Sequence, residues 1–247
     1  MWTNVESVSP LAVLSQRRLA VEAESVTRDV GPAGSRVRAL GDADLEVYKG
    51  ERLAVLGPAG SGKSTLLGCL GGLDAVTSGR VAIQGVDISA AGDQARLSIS
   101  RRHAGFVFQR FHLVSALSTQ ENVELYVLLN GEGRFSSEKR AHHLLDMVHL
   151  SHRRAIAPSR LSEAERRRVA IARALANDPD ILFVDEPAAG LDLVDREMIM
   201  NLLVYLNERF GKTLVLATRD PKVAAVCDRT VHMANGRLIG MPSPLRA

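Results

Sequence analysis

Hydrophobic and polar positions divide this chain into short apolar runs separated by longer mixed stretches. Residues 19–26 (LAVEAESV) and 36–48 (RVRALGDADLEVY) alternate side-chain character as half-buried strands do, and the turn-rich GPAGS at 31–35 lies between them. The apolar run RLAVLG at 52–57 leads straight into GPAGSGKST and a helix ending near Leu70. GRVAIQGVDI (79–88) reads as a strand pair or hairpin, and GFVF (105–108) as a buried strand. Residues 116–150 read as mainly helical, with a break at GEGR (131–134). A helix beginning after Ser162 is expected to stop at Asp178 and Pro179. ILFVDE (181–186) and LVLAT (214–218) are continuously apolar, as strands are when both faces of a parallel sheet are covered. A helix over 193–209, a short helix and a hairpin near Asn235 and Gly236 complete the pattern. Strands alternating with helices predict an α/β fold with a mostly parallel sheet, into which the helical middle is inserted.

Composition adds limits. With 247 residues, 46% hydrophobic and 24% charged, the chain suits one large domain or a core with a subdomain. No apolar run approaches the roughly 20 residues needed to cross a bilayer. Residues 1–18 read as a poorly ordered leader. Its apolar stretch, 10–14, has no basic region before it, so a signal peptide is not expected and the chain should stay in the cytoplasm. Cys69 and Cys227 are too few for a disulfide framework and are expected to be reduced core thiols. The net charge of +3 is small. Arg166, Arg167, Arg168 and Arg173 form the nearest thing to a basic patch. Few aromatics and no nucleic-acid motif accompany it, so a solvated or interface face of a helix is expected and nucleic acid is not. His142 and His143 are adjacent on a predicted helix and cannot face one metal site, so they are assigned to its solvated surface.

The chemistry lies in two motifs. Residues 57–64 match GxxxxGK[ST] in full, with a strand before and a helix after. Glycines there let backbone N–H groups converge on phosphate oxygens at a helix N-terminus that already favours anions. Lys63 would lie on the β- and γ-phosphates, and the Ser64 hydroxyl would ligate Mg²⁺. Asp185 ends an apolar strand, where a carboxylate can hold Mg²⁺ through water. Glu186 follows, placed to orient or deprotonate an attacking water. Together the motifs predict binding of a magnesium nucleotide.

Residues 161–192, LSEAERRRVAIARALANDPDILFVDEPAAGLD, resemble the run from signature motif through Walker B strand to D-loop in ABC-transporter ATPases. GFVFQ, ending at Gln109, resembles the Q-loop of that family. FVFQRFHLVSALSTQENVEL is similar to the subgroup that powers lipoprotein release, macrolide export and the cell-division ATPase. The resemblance spans residues 19 to 240. It implies a P-loop NTPase core with an antiparallel β subdomain, a helical insertion at about 110–165 and a tail at 241–247. It implies ATP and Mg²⁺ as ligands. Gly57, Pro58, Gly60, Ser61, Gly62, Lys63, Ser64, Thr65, Val30 and Ser162 would contact nucleotide; Ser64, Gln109 and Asp185 would contact the metal. Glu186, Gln109 and Arg219 would be catalytic. The implied partners are integral membrane permease subunits and a second ABC ATPase domain, identical or different, with the chain peripheral on the cytoplasmic face of the membrane.

Three positions depart from the family pattern. The family's LSGGQ or LSGGE has become LSEAE (161–165), with Glu163 and Ala164 in place of the two glycines, and Ser162-Glu163-Ala164-Glu165 reads S-x-x-E, a capping box in which the helix satisfies its own first N–H groups. A Glu163 carboxylate ~6 Å from a phosphate charge would cost roughly 3 kcal/mol at an effective dielectric of 20, about a hundredfold in binding, unless the side chain points away. Arg219 stands where LVLATHD has the switch histidine; its fork could pair with Glu186 and disarm it, and losing a transition-state donor typically costs about 10²–10³ in rate. Val30 occupies the position of an adenine-stacking aromatic, with Arg28 as an alternative contact. Two functions are therefore expected: an ATP-hydrolysing transporter subunit with impaired turnover, or a catalytically degenerate nucleotide-binding scaffold or heterodimer partner.

Overall fold

The alternating and continuous apolar runs form two different sheets in the computed structural model, which describes residues 18–32, 34–131 and 133–240. The alternating strands β1 (Leu19–Val30) and β2 (Val37–Tyr48) pair with each other antiparallel. With β4 (Ser78–Ile83) and β5 (Val86–Asp87) they make an antiparallel sheet ordered β2-β1-β4-β5.

The continuous runs become β3 (Arg52–Leu56), β6 (Ala104–Val107), β7 (Ile181–Asp185) and β8 (Thr213–Thr218). With β9 (Arg229–Ala234) and β10 (Arg237–Ile239) they form a second sheet ordered β10-β9-β3-β8-β7-β6. All its neighbours are parallel except the β9–β10 hairpin. The absence of alternation has a clear cause: both faces of this sheet are buried. Leu214 and Leu216 of β8 enter one core cluster and Val215 and Ala217 enter the other.

Seven α-helices are found among the described residues: α1 (Lys63–Leu70), α2 (Asp93–His103), α3 (Thr119–Leu128), α4 (Arg134–Met147), α5 (Glu163–Ala174), α6 (Leu193–Phe210) and α7 (Pro221–Ala224). Two 3₁₀ turns, Ser151–Arg153 and Pro158–Arg160, join α4 to α5. None of these helices is long and apolar enough to cross a membrane. Parallel pairing in register brings the C-terminal ends of three strands to one edge, with Leu56 of β3 opposite Thr218 of β8 and Asp185 of β7 opposite Ala217. That edge is where ligands bind in open α/β sheets.

Three elements differ from the sequence expectation. β1 runs on to Val30. α2 was not predicted at all. α5 ends at Ala174 rather than 178: Asp178 has a left-handed backbone, φ 50°, ahead of Pro179, and Arg140 donates to the carbonyls of Leu175 (3.1 Å), which also accepts from the Asp178 N–H, and Ala176 (3.4 Å). The predicted leader up to residue 17 and the tail at 241–247 lie outside the described residues. Cys69 is buried and Cys227 partly so; both are free thiols that burial pushes up to about 12. His142 is partly buried with its ring 2.8 Å from the Gln120 amide oxygen, and His143 is exposed.

Candidate functional site

The loop between β3 and α1 is shaped by glycines at positive φ. Gly62 has φ 101°, and a Cβ there would lie 2.6 Å from the Ala39 carbonyl. Any other residue would both strain the loop and collide with β2, so glycine is required. Lys63, the first residue of α1, is buried and folds back over the loop, donating to the Gly57 and Pro58 carbonyls at 2.8 Å each. Among the described residues no acceptor meets the backbone N–H of Gly62, Lys63 or Ser64. The buried Ser61 hydroxyl also lacks a hydrogen-bond partner.

Two neighbouring strands complete the site. Ser64 Oγ donates to Asp185 Oδ2 at 2.6 Å, linking the start of α1 to the end of β7. The next residue, Glu186, is only 9% exposed, and its Oε1 lies 4.0 Å from Lys63 Nζ. Its other carboxylate oxygen is 3.5 Å from the Thr218 hydroxyl and 3.4 Å from the Arg219 N–H at the end of β8. Glu186 has φ 49°, the left-handed region where a residue other than glycine is uncommon.

This geometry fits a magnesium nucleotide. An ammonium and a cluster of unpaired N–H donors at a helix start suit phosphate oxygens, while a hydroxyl and a carboxylate 2.6 Å apart are hard oxygen ligands of the kind Mg²⁺ prefers. A family model described as ABC transporter matches residues 40–189. The chain belongs to the ABC transporter family. It is 41% identical over 218 residues to the uncharacterized ABC transporter ATP-binding protein YbbA of Escherichia coli (strain K12), covering 88% of this chain and 96% of that protein. It is 38% identical to the lipoprotein-releasing system ATP-binding protein LolD of Shewanella oneidensis, covering 88% and 95%. Its structure resembles a dimeric post-hydrolysis state of the ATP-binding cassette MJ0796 bound to ADP and Pi, with TM-score 0.83, 37% identity and coverage of 89% and 97%.

In this ABC chain the other predicted site residues fall in three places. Gln109 is exposed just after β6 and forms no hydrogen bond to Ser64 or Asp185. Val30 is 40% exposed at the end of β1, and Arg28 turns instead towards Asp74, 3.8 Å away. Gly60 and Thr65 are on the loop and the first turn of α1.

The signature segment has the predicted capping box: Ser162 Oγ accepts from the Glu165 N–H (3.1 Å), and Glu165 accepts from the Ser162 N–H (2.8 Å). Glu163, the acid of the electrostatic argument, has a cation beside it. Its carboxylate lies 3.6 Å from the Arg167 guanidinium, one turn on, and packs over Gly190, where an added Cβ would lie 2.6 Å from Glu163 Oε1. Ala164 is buried in the helical core cluster. Arg219 also departs from expectation. Its side chain is exposed and makes no ion pair among the described residues; only its backbone N–H reaches Glu186.

The arginine run is not a solvated helix face. Arg173 is buried and donates to the carbonyls of His112 (2.7 Å) and Phe111 (2.6 Å). Arg168 donates to the Val148 carbonyl at 3.2 Å. Arg167, 2% exposed, donates to the carbonyls of Glu186 and Ala189, the latter at 3.0 Å. A sequence signal for this existed: Arg167 lies three residues after the buried Ala164 and four before the buried Ile171, on the inward face of α5.

Proposed function

We propose that residues 19–240 form one ATPase cassette that binds Mg-ATP against a second cassette and couples binding and hydrolysis to membrane permease subunits at the cytoplasmic face. The observation carrying this reading is the convergence of Lys63, Ser64, Asp185 and Glu186 at one sheet edge, with Ser64 and Asp185 2.6 Å apart. Lys63 exchanges its loop carbonyls for β- and γ-phosphate oxygens, and the loop N–H groups with Gly57, Pro58, Gly60, Ser61, Gly62 and Thr65 enclose the phosphate chain. Ser64, Asp185 and Gln109 hold Mg²⁺, which offsets charge on the phosphate oxygens. Val30 packs on the base, and Ser162 meets the nucleotide of the second cassette. Glu186 accepts the proton of the attacking water as its oxygen bonds to the γ-phosphorus. The bond to the β–γ bridging oxygen breaks, leaving ADP and phosphate.

Hydrolysis is impaired in the chain alone. Arg219 supports this, since a guanidinium replaces the imidazole donor of the family pattern; the effect does not run through an ion pair with Glu186, which Arg219 reaches only by its backbone N–H. The same observation favours a second reading, a nucleotide-gated scaffold or a heterodimer partner that closes on ATP without turnover. Steady-state phosphate release with and without the permease subunits separates these readings. Slow release abolished by Glu186→Gln, and raised about tenfold or more by Arg219→His, is the expected result. Equal release by wild type and Glu186→Gln supports the scaffold, and turnover in the ordinary range by the chain alone contradicts impairment.

A further inference from the structure

One buried guanidinium joins four parts of this site. Arg167 spans the turn that follows β7, donating one Nη to the carbonyl of Glu186 and the other to that of Ala189, 3.0 Å away. The turn is closed by the Ala189 N–H donating to the same Glu186 carbonyl at 3.2 Å. On one side the guanidinium meets Glu163, 3.6 Å away, and it also lies over the Phe111 ring, 5.0 Å from its centroid. Phe111 is two residues beyond Gln109, Glu163 is the third residue of the signature run LSEAE (161–165), and Ala189 opens AGLD (189–192), where the run resembling the family reaches its D-loop.

These contacts bear on the carboxylate that activates water. Glu186 is held at φ 49°, so its direction depends on an uncommon backbone state that neighbouring contacts must maintain. Both carbonyls that Arg167 grips belong to that turn. Glu163 is the only carboxylate within ion-pair distance of Arg167 among the described residues, and its seat over Gly190 places it on the D-loop at the same time. Burial lowers the Arg167 pKa, and the charges of Glu163 and Glu186 oppose that shift, so Glu163 offsets part of the cost of burying the charged fork.

We propose that Arg167 is a positioning residue for the Glu186 carboxylate and that Glu163 is its charge partner, which gives the acidic signature residue a role in this chain's own site. The inference rests on the hydrolytic role assigned to Glu186 above. Loss of the fork frees the turn while leaving the phosphate loop intact, so the damage falls on turnover and not on nucleotide binding.

The test compares Arg167→Ala, Arg167→Lys, Glu163→Gln and the Glu163→Gln/Arg167→Ala double variant. Three quantities are read: kcat, affinity for a fluorescent ATP analogue, and amide exchange of the peptide covering 185–191. Arg167→Ala is expected to lower kcat at least tenfold, to leave affinity within about twofold, and to accelerate exchange of that peptide but not of β3. Arg167→Lys is expected to restore part of both effects. Glu163→Gln is expected to lower kcat alone but to add nothing in the Arg167→Ala background. Additive losses, or unchanged kcat and exchange in folded Arg167→Ala, overturn the proposal. If Arg167→Ala does not fold, Glu163→Gln and Arg167→Lys carry the same readouts, and unchanged exchange in both overturns it. Wild-type release no faster than that of Glu186→Gln refutes the hydrolytic reading; the exchange comparison then decides positioning by itself.

Discussion

Ser64 and Asp185 are joined by a 2.6 Å hydrogen bond although 121 residues separate them in sequence. The bond fixes the hydroxyl at the start of α1 against the carboxylate at the end of β7, the two groups that would hold Mg²⁺ under the proposed function. Asp185→Asn keeps the shape and removes the charge. Its affinity for ATP in the presence of Mg²⁺ should fall about 10- to 100-fold, while affinity in EDTA changes little. Nucleotide titration with and without the metal reads this difference.

Glu163→Gly combined with Ala164→Gly restores the family signature but removes the carboxylate facing Arg167 and a methyl buried in the helical core. Turnover is expected not to rise, and stability to fall by about 1–2 kcal/mol from the second glycine and the lost methyl. Denaturant unfolding and phosphate release on the same preparation check both parts.

Much of the fold was legible because its cause is periodic. Continuous apolar runs became the doubly covered strands β3, β7 and β8, and alternating runs became β1 and β2. Helix α2 escaped because its inward anchors are polar: Arg96 donates to the Gly72 carbonyl and Ser100 to that of Gly71. The phosphate loop and Asp185–Glu186 were readable from local sequence, since each motif carries its own strand and turn. The grip of Arg167 on residues 186 and 189 was legible only as far as its place on the inward face of α5, because arginine is almost never fully buried and three consecutive arginines read as surface. The i,i+4 spacing of Glu163 and Arg167 was itself a legible signal of an ion pair along the helix.

Arg173 holds the segment after β6 by two charged hydrogen bonds to carbonyls, 2.6 and 2.7 Å, with its guanidinium 5.1 Å from the Tyr126 ring centroid. Arg173→Ala leaves the carbonyls of Phe111 and His112 without these donors and opens a void. A loss of about 3 kcal/mol is expected, measured by urea unfolding.

The cap of α5 should show in the acid limb of stability. Burial raises the Glu165 carboxyl, but the Ser162 N–H and then Arg153 outweigh it and hold it below its ordinary 4.5. A depressed carboxyl contributes stability that is present above the ordinary value and lost as pH falls through the folded one. Wild type should therefore lose stability more steeply than Glu165→Gln as pH drops below about 4.5, and the two curves should run parallel above it. Unfolding curves collected across that range give the comparison.

The hydrolytic role of Glu186 is tested most directly by the nucleotide that the protein retains. Wild type and Glu186→Gln are incubated with Mg-ATP and any companion subunits, rapidly separated from free nucleotide, and the bound species identified. The account predicts ADP accumulating on wild type and ATP persisting on Glu186→Gln at similar total occupancy. Equal conversion to ADP by both would contradict it.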